Sequence, residues 1–199
     1  YMDPGAETER KVLLRVHDFV DLHDFTGDTT SVGFDFLLIS AMVYGIDDLL
    51  SREKYSINGW TREFEVQFPV NNVDVWHSTK DRFNEALTFL TGDHWSISFI
   101  HLNTEMYIER ANRRRSLIQQ YNFDDYSFAS LFSGGLDSLI GVIDELVNIE
   151  NDNKGIFISH SDGAHAGPKI DQERLLPGLE MNFQNSIEHL SLRVGLSNI

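Results

Sequence analysis

The chain has 199 residues, 41% of them hydrophobic and 12% aromatic, which suits one large folded domain or two small ones rather than a disordered chain. A net charge of −15 argues against a general grip on nucleic acid and against binding an anionic membrane surface, since both need clustered Lys and Arg. With no cysteine, these residues offer no disulfide, no thiolate metal site and no thiol nucleophile.

The opening YMDPGAETER lacks the basic start and apolar run of a signal peptide. The longest apolar stretch, Val32 to Ile46, is short for a membrane span and carries Asp35. The expectation is a soluble cytoplasmic protein. Val12 to Phe19, VLLRVHDF, reads as a strand, and the HDFTGDTTS after it is turn-rich. A helix is predicted from about Val32 to Glu53, because Phe36, Ile39, Met42, Val43, Ile46 and Leu49 or Leu50 recur at steps of three and four. Gly45 within it marks a close packing contact.

Trp60 to Val70, WTREFEVQFPV, alternates with period two. Trp60, Phe64, Val66, Phe68 and Val70 fall on one face, and Thr61, Glu63, Glu65 and Gln67 on the other. Pro69 points to a strand end or a sheet edge. Asp74 to Leu90 reads as a helix burying Trp76, Phe83, Ala86, Leu87 and Leu90, stopped by Gly92. His94 to Leu102 alternates again as a strand, with His94 and His101 as structural residues. These elements predict an N-terminal α/β domain of β-α-β-α-β order over residues 1–110, with Trp60, Trp76 and Trp95 in its core. Residues 111–126 form the linker. Its run Arg113-Arg114-Arg115 reads as a solvated face. The triplet TGD occurs at Thr26 and again at Thr91, a match short enough to be two unrelated turns.

A second domain, residues 127–199, opens with a strand from Ser127 to Phe132 and a Ser-Gly-Gly turn. A helix from about Leu136 to Asn148 and a strand from Gly155 to His160 follow. A Gly/His/Asp-rich loop covers Ser161 to Lys169. Then come a helix from about Ile170 to Asn182, interrupted at Pro177-Gly178, and a strand from His189 to Leu196. Strands alternating with helices imply βαβ units and a parallel sheet. Three parallel strands with two helices leave edges and faces without partners, so the expectation is an incomplete domain with more structure beyond Ile199.

The stretch LFSGGLDSLIG, Leu131 to Gly141, lies where a strand turns into a helix. N–H groups at a helix start lack intrahelical partners, and the macrodipole adds about half a positive charge there. Gly134 and Gly135 permit positive φ and close approach of an anion, while Ser133 and Ser138 add hydroxyls. Asp137 suits a Mg²⁺ ion that bridges phosphate oxygens. The alternative is a tight turn whose helix is capped by Ser133 or Asp137. His160, Asp162 and His165 are too loosely spaced for a metal site and read as a hydrogen-bonded loop.

At these residues FSGGLDS resembles the pyrophosphate loop (PP-loop) of the ATP pyrophosphatases. It is not a Walker A loop, which needs Gly-Lys-Ser/Thr. With FEVQFPV, FLTGDHWSISF and ISHSDGAHAGPKIDQERLL, the resemblance narrows to QueC-like proteins, the 7-cyano-7-deazaguanine synthase group, and within them to the QatC type of Qat anti-phage defence systems. It covers most of the chain from about residue 60 onward. It implies an adenine nucleotide alpha hydrolase-like sheet and an ATP-dependent ligase forming C–N bonds, with these 199 residues alone expected to be inactive. Such an enzyme adenylates a small, deazaguanine-like carboxylic acid, releases pyrophosphate and passes the acyl group to an amine. The alternative is a non-catalytic ATP-binding scaffold of a defence complex.

The resemblance also implies that Ser133, Gly134, Gly135, Leu136, Asp137 and Ser138 hold ATP, with Asp137 on Mg²⁺ and with Ser133 and Asp137 taking part in catalysis. Ser159 and His160 would approach the adenine, and Lys169 and Arg174 would contact phosphate or substrate. Partners would be the acid and proteins of a defence operon, with no nucleic acid and no membrane. QueC proteins follow the second strand with an Asp-Tyr-Gly-Gln-Arg-His type segment, where this chain has SHSDGAHAG. They also carry a cysteine zinc site near the C-terminus, so zinc is expected only beyond these residues.

Overall fold

A computed structural model describes residues 12–17, 30–103, 123–149, 153–161, 166–184 and 186–198. The chain is mixed α/β with parallel strand pairs and divides into two units, Thr26–Asn112 and Tyr1–Phe25 together with Arg113–Ile199.

The first strand, β1 (Val12–His17), does not join the N-terminal elements as the sequence order suggested. It pairs antiparallel with the second half of the last strand, β6 (Ile187–Asn198), from Val12 opposite Asn198 to His17 opposite Arg193. The two-domain division at residues 1–110 therefore differs from the observed units by this strand. Alternating apolar residues identify a strand, but its partner is chosen by which edge the fold leaves open.

In the unit Thr26–Asn112, α1 (Val32–Leu49) is followed by a short α2 (Arg52–Tyr55), so the single long helix expected to Glu53 is broken after Leu49. Ser31 caps α1 by accepting the Phe34 N–H at 3.2 Å. Strands β2 (Glu63–Val70) and β3 (His94–His101) run parallel in register, Glu63 opposite His94 through Val70 opposite His101. Helix α3 (Val73–Thr91) connects them, and Gly92 ends it in the left-handed region at φ +70°. Pro69 sits in a strand whose sole partner among the described residues is β3, where a missing N–H is tolerated.

The core here is Ile39, Phe64, Phe68, Val70, Trp76, Leu87, Trp95, Ile97 and Phe99, with Met42, Val43, Ile46, Leu50, Val66 and Phe83 packed against it. Three expected core residues lie outside it. Trp60 is 64% exposed, with the Arg52 guanidinium 4.9 Å from its ring centre, and Ala86 and Leu90 are exposed on α3. Phe36 is also exposed, although it stacks on Trp76 at 6.3 Å. Gly45 is buried within α1.

Arg62 takes the buried position on the face expected to begin with Trp60. Its Nη2 lies 2.6 Å from Asp93 Oδ2, its Nη1 donates to Leu50 O at 2.5 Å, and it pairs with Asp47. Arg52 adds a second fork onto Asp93, at 2.7 and 3.1 Å. One guanidinium thus satisfies the last carbonyls of α1 while neutralising a buried carboxylate. Burial alone would raise the Asp93 carboxyl; the hydrogen bonds from Arg62 and Arg52 outweigh that and hold it below its ordinary value. Asp35 is likewise buried. Burial pushes it up, but the N–H and side-chain amide groups of Asn71 and Asn72 pull it below the usual value. Trp76 Nε1 donates to the same carboxylate at 3.2 Å.

In the other unit the sheet order is β1-β6-β5-β4, with β4 (Tyr126–Leu131), β5 (Lys154–Ser161) and β6 mutually parallel. The expected parallel βαβ order is present, and β1 makes four strands of the three foreseen. Helices α4 (Leu136–Val147) and α5 (Ala166–Asn182) supply the connections. Phe132, Val142, Leu146, Phe157 and Leu179 form the core between helices and sheet. Helix α5 starts before the expected Ile170 and runs on through Pro177 without interruption. Alternation puts Ile156, Leu190 and Val194 on the opposite face, and they too are buried.

Candidate functional site

Strand β4 ends at Leu131, Phe132 is buried, and Ser133-Gly134-Gly135 turns the chain into α4. Gly134 has φ +86°, the left-handed region that suits glycine. Gly135 does not share it: its φ is −79° with extended ψ, a conformation open to any residue. A Cβ at Gly134 would stand 3.0 Å from the Gln172 backbone N and 3.1 Å from Asp171 Cβ, so the loop lies directly against α5. A Cβ at Gly135 would meet only Ser133 Oγ, at 3.4 Å.

No side chain caps α4. The helix bonding begins with Leu139 N–H on Gly135 O at 3.0 Å, which leaves the N–H groups of Leu136, Asp137 and Ser138 as the unpaired donors of a helix start. The capping alternative for Ser133 and Asp137 is thereby overturned. The two hydroxyls are tied inside the turn. Ser133 Oγ accepts from Gly135 N–H at 3.3 Å and donates to Ser138 Oγ at 3.1 Å, and Ser138 Oγ donates to Gly135 O at 2.9 Å. Rotation about either C–O bond would redirect a proton outward. Asp137 is exposed in the first turn of α4, and Leu136 is exposed beside it.

The remaining expected residues divide. His160 is exposed at the carboxyl end of β5. Ser159 is only 1% exposed and points beneath the loop, where its hydroxyl donates to Phe132 O at 2.8 Å. Its oxygen accepts from His189 Nε2 at 2.9 Å, which fixes the imidazole tautomer. Ser159 thus supports the loop's first peptide from beneath. Burial pushes His189 below its ordinary value, with the Glu180 carboxylate opposing. Lys169 is exposed and lies 3.5 Å from Glu173; Arg174 is exposed. Asp162, His165 and Arg113 to Arg115 lie outside the described residues.

Sequence reasoning missed His189 and Gln172. Gln172 is 4% exposed, and its Nε2 donates to Ser133 O at 3.3 Å and His160 O at 3.4 Å. No local pattern marks Gln172, because the apolar residues of α5 are not gathered on one face. The arrangement as a whole is a backbone cradle: outward N–H groups, a glycine turn packed against α5, and one exposed carboxylate at its rim. Among the described residues no three His, Cys, Asp or Glu side chains converge, and no helix is long and apolar enough to cross a membrane.

Comparison with models of protein families, with curated proteins and with solved structures finds no match to this chain.

Proposed function

We propose that this protein is a PP-loop ATP-dependent ligase of the QueC-like group, which activates a small, deazaguanine-like carboxylic acid in anti-phage defence. The observation that carries the reading is the uncapped start of α4 behind a left-handed glycine, in a parallel βαβ unit, with an exposed acid in the first helical turn. Backbone donors at such a turn suit the pyrophosphate end of ATP without a Lys or Arg in the loop.

In this reaction the acid's carboxylate oxygen attacks the α-phosphorus of ATP, and pyrophosphate leaves. The amine nitrogen then attacks the acyl carbon, and AMP leaves. The N–H groups of Gly134, Leu136, Asp137 and Ser138 would bind and orient the leaving pyrophosphate, which carries the growing negative charge. Asp137 would hold Mg²⁺, which when bound neutralises phosphate charge.

The test measures AMP and pyrophosphate release by the complete protein with Mg·ATP and a panel of deazapurine carboxylic acids. Acid-dependent release is expected, with loss of at least 100-fold in Asp137→Ala, a size typical of removing one stabilising group from an active site. Retained turnover in that variant would remove Asp137 from the mechanism. The alternative is an ATP-binding scaffold without turnover. Calorimetric binding of Mg·ATP with no AMP formed from any acid would select it.

A further inference from the structure

A trans peptide points its C=O and N–H in opposite directions. Whatever holds the carbonyl of Ser133 therefore also aims the N–H of Gly134. Gln172 holds that carbonyl: its side-chain amide donates to Ser133 O at 3.3 Å and to His160 O at 3.4 Å, joining the ends of β4 and β5 to α5. Both acceptors are carbonyl oxygens, so the NH₂ end of the amide must face them. The backbone of the same residue is the closest atom to a Cβ built on Gly134. One buried residue thus sets both the space behind the turn and the direction of its peptide.

We infer that Gln172 is the positioning residue of the anion loop. It keeps the Ser133 carbonyl turned toward α5 so that the Gly134 N–H, a donor, faces the anion. Without those two donors the Ser133–Gly134 peptide is free to flip, which Gly134 permits because glycine occupies both signs of φ. A flipped peptide would present a carbonyl lone pair to phosphate. Gln172 touches no ligand; it acts through the peptide. This assignment rests on the proposed nucleotide reading for the identity of the anion, but not for the orientation of the loop.

The experiment compares the full chain with Gln172→Met, which keeps volume and removes both donors, and with Gln172→Glu, which donates only when protonated. Two quantities are read from pH 5 to 8. One is amide exchange at Phe132 and Leu139, whose N–H groups bond to Ile158 O and Gly135 O on either side of the turn. The other is affinity for Mg·ATP and for pyrophosphate.

Both variants are expected to exchange about tenfold faster at these amides and to bind about tenfold more weakly at pH 8, the loss expected from about one net hydrogen bond. Gln172→Glu alone should recover as the pH falls, because its carboxyl between two carbonyls regains a proton to donate. Running the wild type and Gln172→Met over the same range subtracts the titration of His160 and His189 on the strands and of Asp171, Glu173 and Glu180 on α5. Unchanged exchange in Gln172→Met, or identical pH profiles for the two variants, overturns the inference. If the wild type binds neither probe while exchange and its pH recovery behave as stated, Gln172 keeps its positioning role and the nucleotide reading is what fails.

Discussion

The two units treat polar groups in opposite ways. Around Asp93 in the unit Thr26–Asn112, every charge is answered from within: two guanidiniums on one buried carboxylate, and helix carbonyls on the guanidiniums. Around Gly134 in the other unit, the conspicuous donors are backbone N–H groups left without internal acceptors, at a surface with no cation in the turn. A dense charge cluster can be complete in itself and serve only the fold. A site can consist of unsatisfied peptide groups, with its side chains contributing little charge.

The comparison can be broken first at Asp93. Asp93→Ala takes from the 1% exposed Arg62 its buried carboxylate partner and leaves it paired with the more exposed Asp47. The expected loss is about 3–5 kcal/mol of unfolding free energy, measured by urea titration. A loss near zero would mean that the network is not closed as described. The next effect separates the two loop glycines. Gly134→Ala forces a side chain into the left-handed region against the α5 backbone, at about 1–2 kcal/mol for the backbone conformation alone. Gly135→Ala should change stability by less than about 0.5 kcal/mol, yet weaken Mg·ATP binding if ligand approach is what requires glycine there. Equal effects of the two substitutions on stability would remove the distinction.

The smallest effect is in pH. His189 is held below 6.5 by burial, so the unfolded chain takes up a proton before the folded one does. Stability is fully present above that value. It declines as pH falls from about 6.5 toward the lowered folded value, and it levels off below it. Asp35 and Asp93 act in the same direction at lower pH. Their depressed values add stability that is complete above the unfolded value near 3.8 and is lost as pH falls through the folded values. Unfolding free energy against pH should therefore show a shallow acid loss that His189→Gln removes, and a deeper one at lower pH that it leaves in place.

Much of the local structure was legible. The αL stop at Gly92, the alternation of β2 and β3, and the βαβ order around Ser133 follow from period, turn residues and helix signals that act within a few residues. The misreadings share one cause. Period places Trp60 in the core, but the buried position on that face belongs to Arg62, because Asp93 lies 31 residues away in sequence and is unseen by any local pattern. Leu90 and Ala86 sit on a flank of α3 that no element among the described residues covers closely.

At the loop, neighbouring residues already state the chemistry on offer: glycine at a strand-to-helix turn, two hydroxyls and one acid. Which glycine needs positive φ, the support of Ser159 from beneath and the hold of Gln172 on the Ser133 carbonyl come from long-range packing. It also decided that β1 completes the sheet beside β6. The reason is physical. Propensity, capping and turn chemistry are short-range terms written in neighbouring residues. Strand partners, buried ion pairs and supporting hydrogen bonds join residues far apart in the chain, and they exist only once the fold has brought them together.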